Sequence, residues 1–126
     1  MTPDDLLYTK QHEWIRVEGQ TATEGITDFA QAALGDITFV ELPALNKKLK
    51  QGDEAAQIES CKAAASVYAA VSGTVVAVNS ALEEDPAAVN SDPYGEGWLF
   101  KIEADTPEET GSLLNAEQYN KHTEEA

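Results

Sequence analysis

Lys62 stands in Glu59-Ser60-Cys61-Lys62-Ala63-Ala64-Ala65, a lysine followed at once by three alanines. A free lysine amine is protonated at neutral pH and is a poor nucleophile without a base or strong desolvation; no activating group stands out beside it. What the position offers is reach. The four-carbon stem lifts an amine clear of the backbone, and the alanines leave room for a ligase to approach and acylate it. A solvated lysine in a hairpin turn fits the local sequence equally well, so the wider chain must decide. His12 and His122 are far apart in the chain and lack a ligand pattern, so no metal site is expected and both are read as surface or structural. Cys61 adjoins Lys62, but no base or second nucleophile partner stands out beside it. Catalysis is not expected from it, although an exposed thiol could pair two chains or exchange with a disulfide.

The elements that must position Lys62 read as strands. Ala56 and Ile58 alternate with Gln57 and Glu59 upstream, and Val67, Ala69 and Val71 alternate with Tyr68, Ala70 and Ser72 downstream. This predicts a hairpin over about 54–72 with Lys62 near its turn. Earlier, Ile15 and Val17 alternate with Trp14 and Arg16, Gly19-Gln20 supplies a turn, and Ala22, Glu24 and Ile26 share one face of the next strand. A carboxylate on a core face is costly, so that face must be open near Glu24 or supply a partner. Asp28 is expected as an N-cap with Gln31 at N3, opening a short helix that Phe29 and Leu34 anchor and Gly35 closes. Ile37, Phe39 and Glu41 alternate with Thr38, Val40 and Leu42 in a strand ended by Pro43. Lys47 to Gly52 reads as a loop and short strand, and Gly52-Asp53 as a turn.

Thr74 to Val78 is β-branched and apolar, which predicts a buried strand. Residues 81 to 96 hold five carboxylates and no basic group, with one helical turn and then a loop expected. Trp98 to Ile102 is the expected last strand, and Trp14 and Trp98 are assigned to the core. Thr106-Pro107-Glu108-Glu109 carries an N-cap, a proline and a capping-box glutamate, so C-terminal helices are expected over about 107–122, the second beginning near Asn115. Many short strands without βαβ alternation predict an all-β sandwich.

Composition sets outer bounds. The 126 residues suggest a single domain, 1–126, able to bury a core of its own. Eight basic against 23 acidic residues give a net charge of −15, which argues against nucleic acid or an anionic membrane as partner. The acidity fits either a self-repelling soluble surface or docking to basic faces of partners. One cysteine excludes an internal disulfide and suits a reducing compartment. No apolar run approaches the roughly 20 residues of a membrane span, and Met1-Thr2-Pro3-Asp4-Asp5 is too acidic for a signal or transit peptide. If Met1 is the native start, the expected location is cytoplasmic.

Seven blocks carry a resemblance. They are Tyr8-Thr9-Lys10-Gln11-His12-Glu13-Trp14, Gly25 to Gln31, Gly35-Asp36-Ile37, Phe39-Val40-Glu41-Leu42-Pro43, Glu59 to Ala63, Val71-Ser72-Gly73 and Asp92-Pro93-Tyr94-Gly95-Glu96-Gly97-Trp98-Leu99. In this order and spacing, from about Leu7 to Tyr119, the chain resembles the H proteins of the glycine cleavage system. The resemblance implies the barrel-sandwich hybrid fold of lipoyl and biotinyl carriers, with short peripheral helices and a C-terminal helical segment. It implies (R)-lipoate in amide linkage on Lys62 and a non-catalytic carrier. Such a carrier shuttles the aminomethyl group of glycine from a pyridoxal-phosphate decarboxylase (P protein) to a tetrahydrofolate-dependent aminomethyltransferase (T protein), and is then reoxidised by dihydrolipoamide dehydrogenase (L protein). Lipoate ligase or octanoyltransferase and lipoyl synthase are implied as modifying partners, and a monomer is expected.

The resemblance also implies a cleft that shelters the cargo from water, with Glu13 accepting a hydrogen bond from the aminomethyl ammonium. An aspartate frequent four positions after the lysine is Ser66 here, a hydroxyl without charge. The family is usually aliphatic where this chain has Glu24, commonly aliphatic at Cys61 and often proline at Ala70. A biotinyl carrier is disfavoured because methionines usually flank the biotin lysine, whereas Cys61 and Ala63 stand there. A relay that hands lipoyl groups to other proteins would use the same lysine.

Overall fold

The computed structural model describes residues 3–125. Nine strands run in chain order: β1 Leu7–Tyr8, β2 Glu13–Glu18, β3 Thr21–Ile26, β4 Ile37–Glu41, β5 Lys48–Leu49, β6 Glu54–Ser60, β7 Ala64–Tyr68, β8 Gly73–Val78 and β9 Phe100–Ala104. Helix α1 (Asp28–Leu34) lies between β3 and β4; a 3-10 turn (Ser80–Glu83) and α2 (Ala88–Ser91) lie between β8 and β9. A second 3-10 segment (Pro107–Ser112) and α3 (Ala116–Glu125) follow β9. Six strands form one antiparallel sheet in the order β1-β2-β3-β9-β8-β5, and three form another in the order β4-β6-β7. The two sheets are not closed into one barrel. They enclose a common core in which Ile15, Ala22 and Ile102 of the larger sheet meet Val40, Ile58 and Val67 of the smaller.

The opposite face of the larger sheet is covered separately. Tyr8 and Trp14 pack there with Leu6 and with Ala116 and Tyr119 of α3, the Tyr8 and Tyr119 rings stacking at 4.7 Å between centroids. Alternation on β2 explains the division, because Trp14 and Ile15 must point to opposite faces. Trp14 is fully buried and donates its indole N–H to the Pro93 carbonyl at 2.9 Å, while Trp98 packs partly buried against the same cluster. Trp14 is thus core, and Trp98 flanks that core half-buried.

Several elements differ from the sequence expectation for identifiable reasons. In β4 a bulge between Ile37 and Phe39 breaks the alternation, so Ile37 and Val40 are buried and Phe39 is 49% exposed. β8 is irregular between Val75 and Ala77, which leaves Val76 outside the core instead of in a fully buried run. The last strand is Phe100–Ala104, two residues later than Trp98–Ile102. The acidic 81–96 stretch holds parts of two short helical pieces in place of one. The N-cap of α1 is Thr27, whose hydroxyl accepts the Ala30 N–H; Asp28 is the first helical residue and accepts from the Gln31 side chain. Phe29 is 41% exposed and packs on the His12 ring, so it does not anchor α1 in the core.

The capping-box reading of Glu109 is also corrected. Pro107–Ser112 is a 3-10 segment without a side-chain cap, and Glu109 instead accepts from the Ser72 N–H at 2.6 Å and the Ser72 hydroxyl at 2.7 Å. A carboxylate 37 positions away thereby ties the start of β8 to the C-terminal segment. Glu109→Ala is expected to lower stability by about 1–3 kcal/mol and to speed hydrogen exchange at the Ser72 amide, while Glu108→Ala leaves that amide unchanged. The helix after it spans Ala116–Glu125, running beyond residue 122, and Asn115 caps it by accepting the Gln118 N–H.

Candidate functional site

Lys62 lies in the three-residue turn between β6 and β7, exposed, as the flanking alternation predicts. Ser60 builds that turn. Its hydroxyl accepts the Lys62 and Ala63 N–H groups and donates to the Ala63 carbonyl, while the Ser60 N–H also reaches the Ala63 carbonyl at 2.8 Å. One side chain therefore satisfies backbone groups that a tight turn would otherwise leave to solvent. The Cys61 N–H donates to the Asp36 carbonyl at 3.3 Å, which holds the tip against the end of α1. Gly35 closes α1 with φ +83°, a conformation that favours glycine, and its bare α-carbon faces the lysine. A β-carbon there would lie 3.3 Å from Lys62 Cε. Cys61 is a free thiol on the exposed side of the turn.

At the other end of β7 a cleft of about 480 Å³ opens between the two sheets and the C-terminal segment, lined among others by Thr9, Glu13, Tyr68, Ala70 and Leu113. Glu13 is 2% exposed on β2, a strand paired on both sides, so it is not a surface glutamate on an edge. Oε1 accepts the Thr9 hydroxyl at 2.8 Å and Oε2 the Tyr68 N–H at 2.6 Å. Burial raises its carboxyl above the ordinary glutamate value, and these two donors pull it part of the way back. Ser66 is not part of the cleft lining. Its hydroxyl donates instead to Glu54 Oε2 at 3.1 Å, across the β6–β7 ladder. Glu54 thus places a carboxylate beside the hydroxyl, a pairing that the alternation on either strand does not specify.

The partner that the Glu24 face had to supply is Ala70. Glu24 is 1% exposed and its Oε1 accepts the Ala70 N–H at 2.8 Å. Ala69, Ala70 and Val71 are all buried, so the alternation expected through 72 ends at Tyr68. A proline at position 70 would have no N–H to satisfy, and the glutamate and the alanine therefore account for each other.

A family model described as Glycine cleavage H-protein matches residues 6–126. The chain belongs to the glycine cleavage H-protein family. It is 52% identical over 118 residues to a glycine cleavage system H protein of Psychrobacter sp. (strain PRwf-1), covering 93% of this chain and 94% of the relative. With that of Symbiobacterium thermophilum it shares 50% over 123 residues, covering 98% and 96%. The crystal structure of the Mycobacterium marinum glycine cleavage system H protein superposes with a TM-score of 0.89 at 37% identity, covering 97% of this chain and 98% of that one. Proteins of the H-protein family are lipoate carriers within the glycine cleavage system.

The donor set of this H-family chain fits an acyl group on Lys62. The amine is exposed at the tip, and the side-chain-free Gly35 leaves a lane for the stem. No group of three metal-ligating side chains occurs, and no helix is long and apolar enough to cross a membrane, among the described residues. The fold does bring together the two histidines that the sequence separates. Their rings lie 5.6 Å apart; His12 Nδ1 shares a hydrogen bond with the Tyr119 hydroxyl at 2.8 Å, and His122 Nε2 lies 3.1 Å from the Lys10 carbonyl oxygen. Burial first, and His122 second, lower the His12 pKa from its ordinary value. The unfolded chain then binds the proton more readily. The stability carried by neutral His12 is complete above about pH 6.5 and is lost as pH falls through the lowered folded value. Unfolding midpoints should therefore drop on acidification through that window, and His12→Asn, which tolerates the residue's φ of 71°, should flatten the drop.

Proposed function

We propose that this chain is the lipoylated carrier of a glycine cleavage system, with Lys62 as the attachment point and no catalytic group of its own. The observation that supports this best is the turn itself. Ser60 fixes the backbone of the exposed turn that carries Lys62, whose stem lies over Gly35. A lipoyl group bound there would supply a dithiolane able to accept the aminomethyl group of glycine and to be reoxidised afterwards. The chain's own residues position and shelter. The hairpin presents the amine at an exposed turn, and a tethered cargo stays at high effective concentration between partners. Glu13, lining the cleft, is read as the acceptor for the ammonium of the aminomethyl cargo, which the cleft would shelter from water.

The partners are the P, T and L proteins, together with a lipoate ligase or octanoyltransferase and a lipoyl synthase, with the chain acting as a monomer in the cytoplasm. Intact mass with peptide mapping on protein from its native source tests the reading. A lipoyl increment on Lys62 with turnover in glycine–bicarbonate exchange supports it. A biotin increment, or an unmodified lysine in cells that lipoylate other proteins, overturns it. Loss of the group to an acceptor domain in the presence of a lipoyl transferase would instead make the chain a relay.

A further inference from the structure

Glu24 is a fully buried glutamate that the proposed function does not use. Its register explains where it points. Ile15 pairs with Glu24 and Glu13 pairs with Ile26, so the two glutamates are diagonal neighbours on the same face of β2 and β3. Both reach the segment leaving β7. The Tyr68 N–H donates to Glu13 and the Ala70 N–H to Glu24, while the Ala69 N–H between them donates to the Asp53 carbonyl at 2.8 Å. Three successive amides are thus held from two sides, and Tyr68, Ala69 and Ala70 all line the cleft.

Two carboxyl groups buried on one face cannot both ionise cheaply. Hydrogen bonding decides which one keeps the charge. Glu13 has two donors, whereas Glu24 has one and its Oε2 has no partner among the described residues. The other cross-strand neighbours of Glu24, Ile15 and Phe100, do not titrate, so Glu13 is the charged group that acts on it. We propose that Glu24 is a positioning residue of the cleft: as a neutral acid it takes the Ala70 N–H, holds the Tyr68–Ala70 wall in place, and leaves the pair's single negative charge on Glu13. This deepens the reading of the cleft as a shelter for a cationic cargo and rests on it. The cleft then presents one fixed charge to one ammonium. In agreement, burial and then the Glu13 charge push the Glu24 carboxyl well above the ordinary range.

Carboxyl 13C and amide-exchange NMR on the labelled full-length chain tests this. At pH 7 the Glu24 carboxyl carbon should sit at the protonated shift and that of Glu13 at the ionised one. Glu24→Gln keeps the acceptor, so the Glu13 midpoint and the exchange of the Tyr68 and Ala70 amides should not move. Glu24→Leu strands the Ala70 N–H and should speed exchange at Tyr68 and Ala70 by roughly tenfold or more. Adding Ala70→Pro to that variant removes the stranded donor and should restore Tyr68. The proton on Glu24 stabilises the fold fully below the ordinary glutamate range, and that stability is lost as pH rises through the raised folded value. Glu24→Gln should therefore gain on the parent chain toward alkaline pH. An ionised Glu24 at pH 7, a lowered Glu13 midpoint in Glu24→Gln, or unchanged Tyr68 exchange in Glu24→Leu would overturn the proposal. None of these signals needs an acyl group on Lys62, so the two readings fail separately.

Discussion

Lys62→Arg is expected to remove lipoylation and carrier turnover completely, down to the background of a reaction lacking the protein, while stability stays within about 0.5 kcal/mol of the parent. Arginine keeps the charge and much of the stem, so the turn loses nothing it uses. The backbone there is held by Ser60 and by the Cys61–Asp36 hydrogen bond, and neither involves the lysine side chain beyond its α-carbon. What disappears is an amine that can form an amide, since a guanidinium cannot be acylated in this way. Intact mass after incubation with a lipoylating enzyme and glycine–bicarbonate exchange read the two losses separately. Residual exchange through the arginine variant would mean that another group carries the cargo.

Gly73→Ala is expected to cause the largest loss of stability among small substitutions, about 3 kcal/mol and a fall in melting temperature of roughly 10 °C. The reason is space. A β-carbon at Gly73 would collide with the Glu103 carbonyl oxygen of β9 and lie 2.6 Å from Ile102 Cγ2. Backbone cannot swing aside as a flexible side chain can, so β8 must shift from β9 at the place where Gly73 pairs with Ala104. The same shift pulls on Ser72, whose carbonyl accepts the Asp105 N–H and whose N–H is held by Glu109. Thermal unfolding measures the loss, and amide exchange at Asp105 locates it. A melting temperature within about 3 °C of the parent would show that the strands can slide apart at little cost.

The parts of this molecule legible in its sequence are those decided by near neighbours. The β2–β3 hairpin follows from alternation about Gly19-Gln20, and the carrier turn from alternation about Ser60 to Ala63. The β4 bulge has no local signature, so alternation groups Phe39 with Ile37 although only Ile37 is buried. Thr27 and Asp28 are both competent caps, and only the chain's entry angle selects the threonine. Glu109 matched a local capping pattern but found a better partner in Ser72. Within the candidate site, the flanks of Lys62 place it at a hairpin turn, whereas its role as an attachment point rests on the seven blocks spread along the chain. Glu13 was recognisable through its motif, yet its burial comes from strands on either side of β2 and from the arrival of Tyr68. Glu24 on a core face demands an opening or a partner, and the partner is the Ala70 N–H, 46 positions away. The two histidines meet only because α3 returns to the 9–12 loop.

That return has a consequence during synthesis. Tyr119, which stacks on Tyr8 and binds His12, emerges 107 residues after His12 does. At about 5–20 residues per second the wait is roughly 5–20 seconds. For most of it the nascent chain can pair β1, β2 and β3, but Tyr8 and Trp14 still lack the Ala116 and Tyr119 contacts that cover them later. The outer aromatic layer is therefore left uncovered on the growing chain until the last helix arrives to close it.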